Sequence, residues 1–381
     1  MFIILLVVAI DLIGFGIIIP FLPFYAESFG ASPQRVTMLM AVFSLAQFIA
    51  APFWGILSDK FGRKLIICIT LIGSIIAYIF LSFASSLLML FVARAMAGFM
   101  AGNISTAQAY IADITNKQNR TKAMGLFGAA FGIGFILGPA IGGILAGPNP
   151  ENPNTFYPPM VAGILSFFAL CLSLLFLNNP SNKNINIKNK RLDNLLESLK
   201  APALGKLILL SFIVTIVFAL MESTFSLWSE RTFNWGAQQN GYIFAFTGLC
   251  GALTQGLLVG PLSKYFGEKF LCRMGIFLLS IGMLGVVITY NIFHVYIALI
   301  FIALGLGLFM PTISSLIVGL VSEDRRGWVL GVNQSVSAMS RIVGPIIAGI
   351  LFEFIGKNSP YLFGCIVLLI VLLFYKKIFS K

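Results

Sequence analysis

Long apolar runs separated by short polar segments make up most of the chain. The runs 36–58 and 123–150 contain no charged residue, and each is long enough to cross the roughly 30 Å hydrocarbon core of a bilayer as a helix. No segment alternates between apolar and polar residues over the ten or so positions that a membrane β-strand needs. The pattern predicts about twelve membrane-spanning helices, near residues 2–24, 36–57, 65–84, 88–111, 123–146, 158–178, 207–229, 239–262, 271–290, 295–318, 328–351 and 359–375.

The composition also indicates a membrane protein. Hydrophobic residues make up 59% of the 381 residues and charged residues 10%, whereas soluble domains carry about 25% charged residues. The first residues lack the basic segment and the cleavage site of a signal peptide, and Asp11 interrupts their apolar run. The five cysteines stand singly in predicted helices, so neither a disulfide framework nor a metal site is indicated, and we expect no cofactor.

The positive charges are distributed unevenly between the two sides of the predicted bundle. Of the 25 lysines and arginines, 20 lie in one set of loops and in the C-terminal tail. Arg35, Arg231 and Lys357 lie on the opposite side, and Arg94 and Arg341 lie within spans. By the positive-inside rule, both termini and the longest polar loop face the cytoplasm. Because topology accounts for the net charge of +12, we expect the lipid bilayer, and not nucleic acid, to surround the protein.

Two sequence repeats indicate an internal duplication. The sequence Gly55–Lys64 recurs at Gly260–Lys269, a shift of 205 residues. The sequence Gly138–Leu145 recurs at Gly344–Leu351, a shift of 206. Two matches at nearly the same shift predict that the chain consists of two similar halves.

The longest polar loop, residues 179–206, is rich in Asn and Lys, which is typical of a linker. The predicted fold class is therefore an all-α polytopic membrane protein in which two pseudo-symmetric six-helix bundles, 1–178 and 207–381, are joined by this loop. Parallel repeats of this kind occur in transporters, which bind substrate between the halves near the middle of the membrane.

The segment Gly55–Lys64 lies in the predicted turn between the second and third spans. Glycines there permit a tight reversal. Asp59 and Arg63 are four residues apart and can pair locally, or Asp59 can face the positive N-terminus of a helix from the other half. Anchoring in the membrane needs only cations, so the acid favours a conformational latch. The predicted latch residues are Gly55, Asp59, Gly62, Arg63, Lys64, Asp113 and Arg120.

Several motifs resemble those of the major facilitator superfamily. The run GILSDKFGRK (55–64) is similar to its signature between spans two and three, and LFVARAMAGFMAGN (90–103) to a fourth-span motif with an embedded arginine. The run GFILGPAIGG (134–143) resembles the fifth-span motif of its drug:proton antiporters. Residues 11–20 and 110–114 are similar to the corresponding segments of the tetracycline-efflux branch. That branch also has an acid in span three, an acid in span nine and a histidine in span eight, and these three residues have no counterpart here.

The resemblance implies the major facilitator fold and proton-driven export of drugs. It also implies that Asp59 and Arg63 stabilise the outward-facing state and that Arg94 takes part in proton coupling. The glycines of the fifth span are implied to let that helix bend against its neighbour.

The glycines and the proline of the fifth span can also be explained by helix packing. Gly134 and Gly138 place small residues on one face, so two helices can approach closely, and Pro139 removes a backbone donor and favours a kink. Generic close packing explains a single pair of small residues but not the whole pattern. We therefore predict an antiporter helix that depends on Gly134, Gly138, Pro139, Gly142 and Gly143.

Four ionisable residues fall within predicted spans: Asp11, Arg94, Glu222 and Arg341. A charge at that depth costs about 2.5 to 3.5 kcal/mol, so each of them indicates function. Asp11 and Glu222, one in each half, are the predicted carriers of protons or substrate, and competition at a carboxyl couples the two fluxes. The alternative is that both acids are fixed in static ion pairs with Arg94 and Arg341.

Uncharged polar residues also occur in the predicted helices. They either line a substrate cavity as neutral hydrogen-bond partners or bridge neighbouring helices, and the pattern does not decide between the two. These residues are Asn103, Gln108, Gln255, Asn333 and Gln334.

Together these features predict a proton-coupled secondary active exporter, an antiporter, of amphipathic small molecules such as drugs, tetracycline-like compounds included. An uptake symporter for a small metabolite is the alternative within the same fold, and a membrane scaffold or sensor is the alternative from another class. No nucleophile with a base, phosphate loop or metal-ligand spacing occurs, so an enzyme is not predicted. We expect a monomer that works with protons and a small-molecule substrate in a cell membrane, the bacterial inner membrane being the expected one.

Overall fold

The computed structural model describes residues 1–115, 117–179, 202–322 and 325–379, which form helices joined by short connections, with no strand among them. The helices up to the long loop are α1 (Phe2–Ile18), α2 (Leu22–Glu27), α3 (Pro33–Phe61), α4 (Arg63–Ser82), α5 (Leu87–Ala101), α6 (Ile104–Ile114), α7 (Lys117–Ala146) and α8 (Tyr157–Phe176). After the loop follow α9 (Pro202–Phe233), α10 (Ala237–Leu253), a π-helical turn (Thr254–Leu258), α11 (Val259–Phe266), α12 (Glu268–Val287), α13 (Ile292–Val318), α14 (Arg326–Phe354) and α15 (Ser359–Phe379).

Helix occupies each of the twelve predicted spans. Within the described ranges, ten helical segments are long and apolar enough to cross a membrane, and two shorter apolar helices, Phe2–Ile18 and Ser359–Tyr375, fall on the first and last predicted spans. The predicted all-α polytopic fold class is confirmed.

Three local predictions were wrong in detail. The first span is interrupted after Ile18, close to Pro20, which has no backbone N–H to continue a helix. The fourth span breaks into α5 and α6 around Asn103. The predicted loop at Gly55–Lys64 is mostly helix, because α3 continues to Phe61 and leaves one residue for the turn.

The chain forms two compact units. The first contains Met1–Ile185 with Ser226–Phe246, and the second contains Asn186–Phe225 with Thr247–Lys381. The division into bundles 1–178 and 207–381 stays a prediction, and most of the linker 179–206 lies outside the described residues.

The two units repeat one packing arrangement. In the first unit α4 packs against α5 and α8, and in the second α12 packs against α13 and α15. In the first unit α1 also packs against α7 and α8, and a buried cluster that includes Ile4, Leu71 and Ile111 fills the space between these helices. Several of its members line the cavity that also contains Asp11 and Asn103.

Candidate functional site

The turn between α3 and α4 consists of one residue, Gly62. Its φ of 98° lies in a region that side-chain-bearing residues rarely adopt. The second copy of the repeat has the same geometry, because Gly267, with a φ of 77°, separates α11 from α12. The sequence repeat is therefore also a repeat of backbone structure.

Arg63 is the centre of an ion-pair network that joins three helices at this turn. Its guanidinium lies 2.5 Å from Asp59 Oδ1 at the end of α3 and 3.1 Å from Asp113 Oδ2 at the end of α6. Its Nη1 also donates to Ser58 Oγ at 2.6 Å. The Arg63 side chain is only 14% exposed, so water screens these contacts less than it screens a surface pair. Of the two arrangements that the sequence allows for Asp59, the local pair with Arg63 is present, and Asp113 also contacts Arg63.

Lys64 ties the start of α4 to the end of α8. Its backbone N–H donates to Asn179 Oδ1 at 3.1 Å, and its Nζ donates to the Leu174 carbonyl at 2.8 Å. Asn179 therefore satisfies one of the free N–H groups at a helix start. Gly55 lies within α3 with open space beside it, so neither a turn nor close packing requires glycine there. The side chain of Arg120 lies outside the described residues.

The antiporter helix α7 packs against α1 through backbone atoms. A Cβ added to Gly138 would lie 2.6 Å from Gly16 Cα and 2.8 Å from the Ile13 carbonyl oxygen. Gly134, one turn earlier, and Gly142, one turn later, approach the backbone of α1 in the same way. A side chain at any of these positions would force the two helices apart, so this face requires glycine.

The remaining residues of the motif face α10. A Cβ added to Gly143 would lie 2.6 Å from the Ala237 carbonyl oxygen and 2.9 Å from Gly241 Cα. The carbonyl of Pro139 lies directly against Gly241. The antiporter helix is therefore closely packed on two sides, against α1 and against α10.

Asp11 lies in the middle of α1 next to uncharged polar groups. The side chain of Asn103 is its hydrogen-bonding neighbour, and Asn103 Nδ2 also donates to Thr70 Oγ1 at 3.0 Å. Asn103 lies between α5 and α6, and the break in the fourth span brings its amide to this place. Asp11 and Asn103 line one small cavity whose other walls are apolar.

Arg94 is buried in α5 with 4% of its surface exposed. Its guanidinium carbon lies 4.2 Å from the centroid of the Phe43 ring, and its Nε has no hydrogen-bond partner. Tyr78 on α4 lies near enough to both Arg94 and Asp11 for their charges to affect ionisation of its phenol. Throughout the described part of the chain, no carboxylate lies within ion-pair distance of Arg94. The structure therefore lacks the static pair between Arg94 and Asp11 that the sequence left open.

The second unit holds the other two intramembrane charges. Glu222 lies in α9 and Arg341 in α14, and both are half-buried. Arg341 is the charged group that acts on Glu222, but the ion pairs formed by the described residues do not include this one. Two residues after Glu222, the Thr224 hydroxyl donates to the Leu220 carbonyl at 2.8 Å and lies 3.4 Å from the Tyr361 hydroxyl.

The other predicted polar residues lie in different environments. Gln108 is half-buried in α6, Gln255 is exposed in the π-helical turn, and Gln334 is exposed in α14. Asn333 is half-buried, and its Oδ1 is buried without a hydrogen-bond partner. In contrast to these four, Asn103 bridges helices, which was one of the two predicted roles.

Two sets of residues near the site are not predicted by the sequence pattern. Phe43 contacts Arg94, Thr70 accepts from Asn103, and Tyr78 lies near both Asp11 and Arg94. Rings and hydroxyls are too common in apolar helices to be singled out. Glu27 and Arg231, paired at 3.4 Å, flank the first and seventh predicted spans. The available signal is an acid and a cation at two loop ends, which the positive-inside rule alone also explains for Arg231.

Comparison with known proteins identifies the family. The Major Facilitator Superfamily profile matches residues 4–292 and 231–379. Tetracycline resistance protein, class H, from Pasteurella multocida is 29% identical over 363 residues, which are 92% of this chain and 88% of that protein. Multidrug resistance protein 1 from Bacillus subtilis (strain 168) is 30% identical over 366 residues, which are 95% of this chain and 91% of that protein.

A solved structure has the same fold. The human organic anion transporter MFSD10 (TETRAN) superimposes with a TM-score of 0.72 at 23% identity, and the match covers 98% of each chain. The family match, the two relatives and this fold each extend over nearly all of the chain. The protein belongs to the Major Facilitator Superfamily.

Proposed function

We propose that the protein is a proton-coupled secondary active exporter, an antiporter, of amphipathic small molecules such as drugs, and that it works by alternating access. Relatives of 29% and 30% identity are named for resistance to tetracycline and to multiple drugs. The observation that carries the proposal is Asp11, a carboxyl in the middle of a span whose hydrogen-bonding neighbour is an amide and not a cation.

Asn103 suits a carboxyl that gains and loses a proton. Its amide N–H can donate to the carboxylate, and its amide oxygen can accept from the carboxylic acid, so either form of Asp11 has a partner. An arginine partner, in contrast, would hold the acid ionised. Asp11 is therefore the proposed site at which a proton and a cationic or polar substrate compete.

Glu222 is the proposed second carrier. It lies in the other half of the sequence, and Arg341 acts on it without forming an ion pair in the described structure. Movement of Arg341 toward or away from Glu222 would change the charge that the acid prefers. The Arg63 network is the proposed latch, since it links the ends of α3, α4 and α6 and must rearrange if these ends separate.

Transport in proteoliposomes under an imposed pH gradient tests the mechanism. The substrates are a tetracycline, a quaternary ammonium dye and a neutral phenicol. We expect export of at least one of them to depend on the gradient and to collapse when an ionophore dissipates it. Export that ignores the gradient, or gradient-driven uptake in the same direction as protons, would exclude antiport.

Two substitutions test the carriers. We expect Asp11→Asn and Glu222→Gln each to leave inserted, folded protein but to reduce gradient-driven export by roughly tenfold or more, because the proton site is lost. Glu151→Gln is the matched control, since it removes an exposed carboxyl outside the spans. Full pH-dependent transport by both single variants would refute these roles.

We also propose that the protein functions as a monomer in the bacterial inner membrane with both termini in the cytoplasm. A cysteine at the exposed Glu151 should react with an impermeant thiol reagent in intact cells. A cysteine at the exposed Lys60 should react only after the cells are permeabilised. The reverse pattern would overturn the orientation, and a stable dimer in light scattering would overturn the monomer.

A further inference from the structure

A second charge network lies at the end of the first unit opposite the Gly62 turn. Glu27 ends α2, and Glu230 and Arg231 lie near the end of α9. Arg231 Nη2 donates to Glu27 Oε1 at 3.4 Å, and Arg231 Nε lies 3.9 Å from Glu230 Oε2. We call these three residues the Glu27 cluster. With both acids ionised its formal charge is negative, and uptake of one proton makes it neutral.

The segment that carries Glu230 and Arg231 is docked onto the end of α7. The Pro148 carbonyl lies directly against Gly236, and Gln238 N–H donates to the Gly147 carbonyl at 3.0 Å. Asn234, with a φ of 55°, turns the chain between α9 and α10. These contacts are made by backbone atoms, so the docked geometry is well defined and does not depend on side-chain rotamers.

Glu27 binds a proton more readily in this setting than in water. Burial and the charge of Glu230 raise the pKa of Glu27 from 4.5 to about 7, and Arg231 opposes the shift. Arg35, exposed at the start of α3, is not among the charges that act on Glu27. Tyr25 on α2 directs its hydroxyl to backbone carbonyls at the end of α4, which adds no charge.

Protonation of Glu27 favours the docked position of the segment. If the segment undocks, Glu27 returns to water and to its ordinary pKa of 4.5, so the docked state binds the proton more tightly. Docking is therefore favoured as the pH falls below about 7. This contribution is lost as the pH rises through about 7.

We propose that the Glu27 cluster is a proton-sensitive closure on the predicted outer face of the protein. Protonation of Glu27 from outside docks the segment 226–246 onto α2 and α7, and loss of that proton releases it. The role of this closure in transport rests on the proposed function. In an antiporter driven by external protons, a low external pH would close the outer side once protons have been taken up.

The test measures access to the docked surface in the full-length protein, reconstituted without substrate or gradient. In a background with the five cysteines replaced, Ala237→Cys reports docking, because Ala237 is fully buried. The exposed Glu151→Cys provides the intrinsic pH dependence of the reaction with an impermeant maleimide. Between pH 5.5 and 8 we expect the ratio of the two rates to rise about tenfold or more, with a midpoint near pH 7.

Two variants connect this change to the cluster. Glu27→Gln, which resembles the protonated acid, should give a low ratio at every pH. Glu230→Gln keeps Glu27 titratable and removes a repelling charge, so it should move the midpoint to lower pH. A wild-type ratio that does not change with pH, or a wild-type pH curve in Glu27→Gln, overturns the closure.

The labelling experiment is independent of drug export. A protein that docks with pH but exports none of the tested drugs would overturn the proposed function and leave the closure standing. A protein that exports drugs along a proton gradient but labels identically at every pH would do the opposite.

Discussion

Gly138→Ala in α7 tests whether the contact between α1 and α7 depends on the absence of side chains. The added Cβ would lie 2.6 Å from Gly16 Cα and 2.8 Å from the Ile13 carbonyl oxygen, whereas nonbonded carbons prefer about 3.5 to 4.0 Å. The helices must therefore separate by roughly 1 Å. Because both obstructing atoms are backbone, no rotamer change relieves the clash, and we expect a cost of about 1–3 kcal/mol.

Gly132→Ala is the matched control. It makes the same chemical change in the same helix, but nothing lies within 4 Å of the added Cβ. Alanine is up to about 1 kcal/mol more favourable than glycine in a helix, so this variant should be neutral or stabilised. The two variants are compared by apparent Tm in detergent and by initial export rate in proteoliposomes.

Gly138→Ala should lower the apparent Tm by several degrees relative to Gly132→Ala. Gly138→Ala should also lower the export rate relative to Gly132→Ala, because a displaced α1 moves Asp11 relative to Asn103. Equal Tm values and equal export rates for the two variants would refute the inferred backbone contact.

Two further predictions concern the Arg63 turn. Arg63→Lys keeps the charge but replaces the planar guanidinium with a single ammonium, which cannot hold Asp59 and Asp113 in the same geometry. Export should fall while expression stays normal, and an unchanged export rate would contradict a latch. Asn179→Ala removes the acceptor of the Lys64 N–H and should lower the free energy of unfolding by about 1 kcal/mol. Asn179→Asp keeps an acceptor oxygen and should retain the stability. Equal Tm values for the two variants would contradict this capping contact.

The positions of the spans were predictable because a bilayer imposes a length and an apolar character that the sequence displays directly. The interruptions were less predictable. The break at Gly102–Asn103 occurs in an apolar run that would also suit a continuous helix. It is explained by Asn103 reaching Thr70 and Asp11, which belong to other helices, and such contacts are invisible in a local pattern.

The charged members of the site were predictable and their surroundings were not. Asp11 and Arg94 stood out because a charge in the hydrocarbon zone is costly. Which groups they meet depends on how α3 and α4 are rotated in the bundle. The contact of the Phe43 ring with Arg94 and the nearness of Tyr78 to both charges follow from that rotation.

The turns at Gly62 and Gly267 show which features the two copies of the repeat share and which they do not. Both have ψ values, 143° and 155°, that combine with positive φ into a region reserved for a residue without chirality. Both copies have this achiral residue at a shift of 205, whereas Lys264 and Glu268 occupy the positions of Asp59 and Arg63. The two turns therefore share a backbone shape but not the charges at these two positions, so exchanging them would transfer the shape of the turn without the pair that Asp59 forms with Arg63.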